Sequence, residues 1–176
     1  MQNLIPSTQA DVCPPKPIHR LDYPTTGLLL IGKTRTSIIA LNKLFEQKKI
    51  EKKYLAVSIG KMKSPYGIIK DDIDEKEAES HYQVIQTVAS ERFEYLNLLE
   101  LSPKTGRRHQ LRKHLATLGN PLLGDKEYGI EGLILNGKGL YLHAYSLDFI
   151  HPITEEVISI KDSIPKRFRK LFDFEV

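Results

Sequence analysis

The sequence predicts an α+β fold, and three observations carry that prediction. Residues 53–60, KYLAVSIG, alternate as a strand does: Tyr54, Ala56 and Ser58 share one face, and Leu55, Val57 and Ile59 share the other. Residues 81–88 and 93–101 are two further strand-like runs joined by the short turn Ala89-Ser90-Glu91-Arg92, which is the signature of a hairpin. Helical periodicity is confined to a few stretches. The longest is 34–47, where Ile38, Leu41, Leu44 and Phe45 recur on one side while Lys43, Glu46 and Lys48 face away.

The other elements follow in chain order. Residues 1–17 contain Pro6, Pro14, Pro15 and Pro17, which predicts an irregular arm. Residues 19–33, HRLDYPTTGLLLIGK, place His19, Arg20 and Asp22 before a Pro-Thr-Thr-Gly turn and the apolar run 28–31. That run predicts a strand buried on both faces. A carboxylate at the mouth of such a strand is held rigidly and partly desolvated, as catalysis requires, although an aspartate before a turn is also an ordinary turn former. Residues 61–79 are turn-rich and then acidic, and they predict a solvated loop facing away from any phosphate backbone. A second helix is predicted over 105–118, capped by Thr105 and stopped by Gly119, with Arg107 and Arg108 in its first turn. Lys104, Arg107, Arg108, Arg112 and Lys113 lie close together there without an intervening acid, so the helix start predicts a phosphate site. Strands at 139–150 and 157–160 and a short helix from Pro165 complete the chain.

Composition narrows the chemistry. The 176 residues suit one domain, and the net charge of +4 is modest. Cys13 is the only cysteine, which excludes an internal disulfide and a cysteine-based zinc site. No apolar run reaches the roughly 18 residues of a membrane helix. The first residues lack the basic and apolar regions of a secretory signal, so a cytoplasmic protein without a membrane partner is expected. His109 and His114 point about 140° apart on a helix, unlike a metalloprotease pair. Asp125 stands where a P-loop following Gly119 to Gly124 would need lysine. The acidic run at 71–79 lacks calcium-loop spacing. Neither a dinucleotide GxGxxG nor a GxSxG nucleophile elbow is present. What remains is carboxylate chemistry with basic support and no metal.

His19-Arg20-Leu21-Asp22 with Thr26-Gly27-Leu28-Leu29 resembles the signature of the RluA-type pseudouridine synthases. A second stretch, Gly106-Arg107-Arg108-His109-Gln110-Leu111-Arg112, is similar to the family's G-R-T-H-Q-I-R. Residues 119–129, GNPLLGDKEYG, then Leu142-His143-Ala144 and His151-Pro152, follow in the family's order. The resemblance runs from about Pro17 to the end of the sequence. Upstream it lapses: the strand and N-K-P-x-G-like motif expected before HRLD are missing, and there is no room for a small N-terminal RNA-binding domain. The expected organisation is therefore an irregular arm over 1–17 and a minimal or truncated catalytic domain over 18–176.

The resemblance implies a mixed, largely antiparallel sheet with flanking helices and a central cleft between the HRLD loop and the GRRHQLR helix. It implies isomerisation of uridine to pseudouridine in structured RNA, either rRNA or tRNA, by a monomer without cofactor. Asp22 is the implied catalytic carboxylate, acting at C1′, on the uracil ring or in glycal formation. Arg112 is the implied arginine paired with it. Tyr54 and Leu111 flank the uracil, and Tyr54 is a candidate for removing the C5 proton. Arg20 enters the space left by the extracted nucleotide. Arg107, Arg108 and Lys113 supply contacts to RNA, and His19 shapes the loop. Two other classes compete: a non-catalytic RNA-binding protein on the same scaffold, and a base-releasing hydrolase that would need a second carboxylate, for which Asp125 is the one candidate.

Overall fold

The computed structural model describes residues 11–135 and 137–173. In chain order its strands are β1 (Val12–Pro17), β2 (Thr26–Gly27), β3 (Ile31–Thr34), β4 (Glu51–Ile59), β5 (Tyr66–Ile69), β6 (Ser80–Ser90), β7 (Glu94–Pro103), β8 (Leu142–Ile150) and β9 (Val157–Lys161). The centre of the molecule is a seven-stranded sheet in the order β2-β8-β4-β7-β6-β5, with β9 also on β8. The β2–β8 pair is parallel and the others are antiparallel, so the mixed, largely antiparallel sheet is borne out. β2 pairs with the first half of β8 and β9 with the second, so one edge of β8 is shared.

The alternation read in 53–60 sorts the core. Leu55, Val57 and Ile59 pack with Leu96, Leu98, Phe168 and Phe172 on one face. Ala56 packs with Leu99, Leu101, Leu111 and Leu115 on the other, with Tyr54 half-buried against them. The first helix, α1 (Arg35–Glu46), matches the predicted 34–47. Thr34 caps it reciprocally: the Ser37 amide donates to Thr34 Oγ1 at 3.1 Å, and the Thr34 amide donates to Ser37 Oγ at 3.2 Å. α2 (Gln110–Thr117) covers the Ala56 face of the sheet, and the short helix α3 (Lys166–Arg169) covers the other.

Four expectations are corrected. Residues 12–17 are not irregular: β1 pairs antiparallel with β3 in a separate two-stranded sheet. Prolines are tolerated because β1 is an edge strand with a register shift between Val12 and Lys16. The first ten residues of the predicted arm lie outside the described residues. The run 28–31 is not a strand buried on both faces. Leu28 and Leu30 pack inward beside α1, while Leu29 and Ile31 point to solvent at 43% and 47% exposure, so it has one buried side. The acidic segment 61–79 is not all solvated loop, since it contains β5 and the buried residues Ile69, Ile73 and Ala78. Finally, α2 starts at Gln110 rather than Thr105, because His109 at φ 55° breaks the helical backbone immediately before it.

Candidate active site

The HRLD loop is tied to the sheet at both ends. Leu30 N–H donates to His19 Nε2 at 3.0 Å, so this nitrogen is the acceptor and the ring is the neutral Nδ1–H tautomer. The ring also stacks on Phe45 with centroids 5.0 Å apart, and burial holds its pKa below the ordinary value. Leu28 N–H donates to the Ala144 carbonyl at 3.0 Å. Gly27, at φ 109°, lies so close to the Ala144 backbone that any Cβ would collide with it. These ties place Asp22 over the end of β8, with its side chain one-fifth exposed.

Asp22 borders a cleft of about 400 Å³. His19, Arg20, Tyr54, Arg107, Arg108 and Leu111 share its walls, so six of the other candidate residues converge on it. Burial pushes the Tyr54 phenol up to about 12, and the negative charge of Asp22 adds to the effect. Tyr54 is therefore a neutral phenol at physiological pH.

The loop carrying Arg107 and Arg108 is held by one buried side chain. Gln110 Oε1 accepts from the Thr105 hydroxyl at 2.6 Å and from Arg107 N–H at 3.0 Å. Its Nε2 donates to the Glu79 carbonyl and to Ser80 Oγ, both at 2.9 Å. Thr105 therefore anchors this loop and does not cap a helix, and the two arginines precede the first turn of α2 instead of occupying it. The acidic segment touches the basic one at two points. Arg107 Nε donates to the Glu77 carbonyl at 2.9 Å, and Lys113 pairs with Asp74 at 3.0 Å. The Lys113 charge is thus taken up by a carboxylate, whereas Arg108 is exposed with no carboxylate in ion-pair range among the described residues.

The largest correction concerns Arg112. Its guanidinium does not pair with Asp22. It makes a bidentate pair with Asp125, Nε to Oδ2 and Nη2 to Oδ1 at 2.7 Å each, and also reaches Glu127 at 3.3 Å. The physical reason lies in how Asp125 is prepared. Burial alone would raise its pKa, but the two Arg112 bonds and the Glu127 and Tyr128 amides, donating to Oδ1 at 3.0 and 3.1 Å, hold it below the ordinary value. A fixed, preorganised carboxylate of this kind outcompetes a partly exposed one for a planar fork. Arg112 also lies over the Tyr128 ring, 4.9 Å from its centroid.

The basic group nearest Asp22 is His109, with Nε2 3.8 Å from Oδ1. Its Nδ1 lies 3.0 Å from the Tyr128 hydroxyl. That hydroxyl donates its own proton to Glu127 Oε1 at 2.8 Å, so it accepts from Nδ1–H. A chain of contacts thus runs from Asp22 through His109 and Tyr128 to Glu127 and Arg112. Sequence reasoning missed His109, Glu127 and Tyr128 as members of the site. Both motifs containing them were visible, but nothing in their spacing says that one loop docks on the other. Among the described residues, no group of three His, Cys, Asp or Glu is placed to hold a metal, and no helix is long and apolar enough to cross a membrane.

Comparison with known proteins agrees with this architecture. The family model described as RNA pseudouridylate synthase matches residues 2–117. An uncharacterized RNA pseudouridine synthase of Bacillus subtilis is 34% identical over 175 residues, covering 92% of this chain and 56% of that protein. A tRNA pseudouridine synthase C of Haemophilus ducreyi is 36% identical over 186 residues, covering 89% of this chain and 75% of the relative. The chain therefore spans little more than half the length of the first of these. In fold it is similar to human RNA pseudouridylate synthase domain containing 1, with a TM-score of 0.76 at 23% identity over 86% of this chain and 70% of that one. The resemblance read from HRLD and GRRHQLR holds, and the chain belongs to the RNA pseudouridylate synthase family.

Proposed function

We propose that this chain isomerises uridine to pseudouridine in structured RNA, with Asp22 as the catalytic carboxylate. The observation that carries the proposal is the convergence of Asp22, Tyr54 and Leu111 on one cleft with Arg20, Arg107 and Arg108 at its walls. The reaction breaks the N1–C1′ bond, turns the base and joins C5 to C1′. Nothing is added or lost, so the chemistry asks for a carboxylate, a flat clamp and a means of extracting the base. Asp22 acts at the junction of sugar and base, at C1′, on the ring or in forming a glycal. All three routes share the need for an ionised, fixed carboxylate. Tyr54 offers a flat, neutral ring beside it, and its hydroxyl is the candidate group for the C5 proton. Leu111 supplies apolar contact to the uracil. Arg20 fills the stack as the nucleotide leaves, offsetting an extraction cost of a few kcal/mol. Arg107 and Arg108 take phosphates, and Lys113 joins them only if RNA displaces Asp74. His19 holds the loop. Arg112 supports Asp22 through space, from its place in the Asp125 pair.

The relatives named for the large ribosomal subunit and for tRNA make these two the RNAs to test first. The protein would meet them as a monomer in the cytoplasm. The base-releasing alternative is weakened because Asp125, its one candidate second carboxylate, has a fully buried side chain with both oxygens committed to Arg112. Incubating total RNA with the protein and assaying both free uracil and pseudouridine separates the readings. Mapped pseudouridines without uracil release support isomerisation. Uracil release supports hydrolysis, and neither product supports a binding protein.

A further inference from the structure

A second cavity, of about 650 Å³, lies on the other side of Asp22 from the uracil cleft. The two share only Arg20, Asp22 and Arg108, so the carboxylate stands in the wall between them. At the edge of the second cavity Tyr23 is 103% exposed, an aromatic ring with no packing of its own. The backbone that carries it is nevertheless fixed. Thr25 N–H donates to the Asp22 carbonyl at 2.8 Å, closing a turn with Tyr23 and Pro24 at its centre. Arg108 and Lys126 line the same cavity, both exposed and with no carboxylate in ion-pair range among the described residues. Besides Asp22 in the wall, the carboxylates of the cavity are already engaged: the buried Asp125 by Arg112, and the half-exposed Glu127 by Arg112 and the Tyr128 hydroxyl. Exposed cations beside a bare aromatic ring carried on a closed turn form a stacking platform for a nucleobase with its phosphate.

We propose that this cavity is a second nucleotide subsite, in which Tyr23 stacks on a base adjacent to the target uridine while Arg108 and Lys126 hold the backbone. The inference rests on the RNA reading of the chain and deepens it. It places the flanking nucleotide within one residue of the catalytic position, so it makes Tyr23 a determinant of sequence context.

The probes are two nine-nucleotide single-stranded oligouridylates, each with one 2-aminopurine immediately 5′ or 3′ of the central uridine. Binding and 2-aminopurine fluorescence are measured with the wild-type chain and with Tyr23→Ala, Tyr23→Phe and Tyr23→Trp, whose melting temperatures are checked alongside. One of the two placements should be quenched on binding to wild type. Tyr23→Ala should abolish that quenching and bind about five- to 150-fold more weakly, while Phe and Trp preserve both. Equal affinity and unchanged fluorescence for Tyr23→Ala overturn the subsite, as does failure of the wild type to bind either oligomer. Pseudouridine mapped separately in total RNA keeps the two readings apart. Isomerisation without Tyr23-dependent stacking sinks the subsite alone, and stacking without isomerisation sinks the proposed activity alone.

Discussion

Replacing Arg112 by methionine keeps much of the length of the side-chain stem and removes the positive charge that faces Asp125. Both partners are almost wholly buried, with side chains 5% and 0% exposed, so water has little access to take the place of the guanidinium. Breaking a buried pair from one side costs about 3–5 kcal/mol. At about 2–4 °C per kcal/mol for a chain of this size, the melting temperature should fall by roughly 6–20 °C. The pH dependence has a definite sign. In the wild type the Asp125 carboxyl is held below its ordinary value, so its contribution is fully present above about pH 4 and is lost as pH falls through the folded value. Without Arg112 the burial of Asp125 is less compensated and its folded pKa rises. The deficit of Arg112→Met should therefore be largest near neutral pH and should narrow toward pH 4. Adding Asp125→Asn removes the stranded charge, and the double variant should recover about 1–3 kcal/mol relative to the sum of the singles. Urea titrations at pH 4.5 and 7 on the four proteins give the cycle directly. Additive losses with no pH dependence would refute the pair. Arg112→Met combined with Asp22→Asn serves as the control: those two side chains are not bonded and interact only through space, so their coupling should be well below that of the Arg112–Asp125 pair.

Other consequences can be measured on the same protein. Asp22→Asn should lower pseudouridine formation by at least about 10²-fold while RNA affinity stays near wild type, and wild-type turnover would remove Asp22 from the mechanism. Tyr54→Phe keeps the ring and deletes a hydroxyl whose pKa is about 12, so kcat should fall with KM little changed; an unaltered kcat would leave Tyr54 as a clamp alone. Arg107→Ala with Arg108→Ala should flatten the log–log salt dependence of RNA binding by roughly 0.7–0.9 for each phosphate no longer neutralised, and an unchanged slope would mean that this loop faces solvent.

Most of the architecture was legible because strands and helices announce themselves by period. The two faces of β4 separate in the sequence as they do in the core, since alternate residues of a strand must point opposite ways. The α1 boundaries were legible for the same local reason. The start of α2 was not. Thr105 looks like a cap, but Gln110 makes four hydrogen bonds that hold 105–109 as a loop, and two of their partners, Glu79 and Ser80, lie some 30 residues away. The strand at 12–17 was hidden by its prolines, which disfavour a central strand but are compatible with an edge. At the site, the convergence of Asp22, Tyr54 and Leu111 was anticipated from family motifs rather than from spacing. The partner of Arg112 was misjudged because two carboxylates from different loops compete for one guanidinium. That contest is decided by burial and by backbone amides, which no linear pattern displays.

The same contest explains how the site can keep Asp22 available. A carboxylate locked in a bidentate pair has both oxygens occupied, and it would have to give up those bonds before attacking anything. Asp125 takes that role here. It draws Arg112 to the base of the wall, where Glu127, Tyr128 and His109 build outward from the pair. Asp22 meets only the edge of this network, at His109, and has no hydrogen bond to Arg112. Two glycines make the arrangement rigid. Gly27 lets the Asp22 loop sit directly on the Ala144 backbone, and Gly124 lets the Asp125 loop sit directly on the Gly139 carbonyl. A side chain at either position would collide with that backbone and push its loop away from the contact. The structural acid and the candidate catalytic acid are thus held by separate backbone contacts, so that one can be permanently paired while the other stays open to substrate.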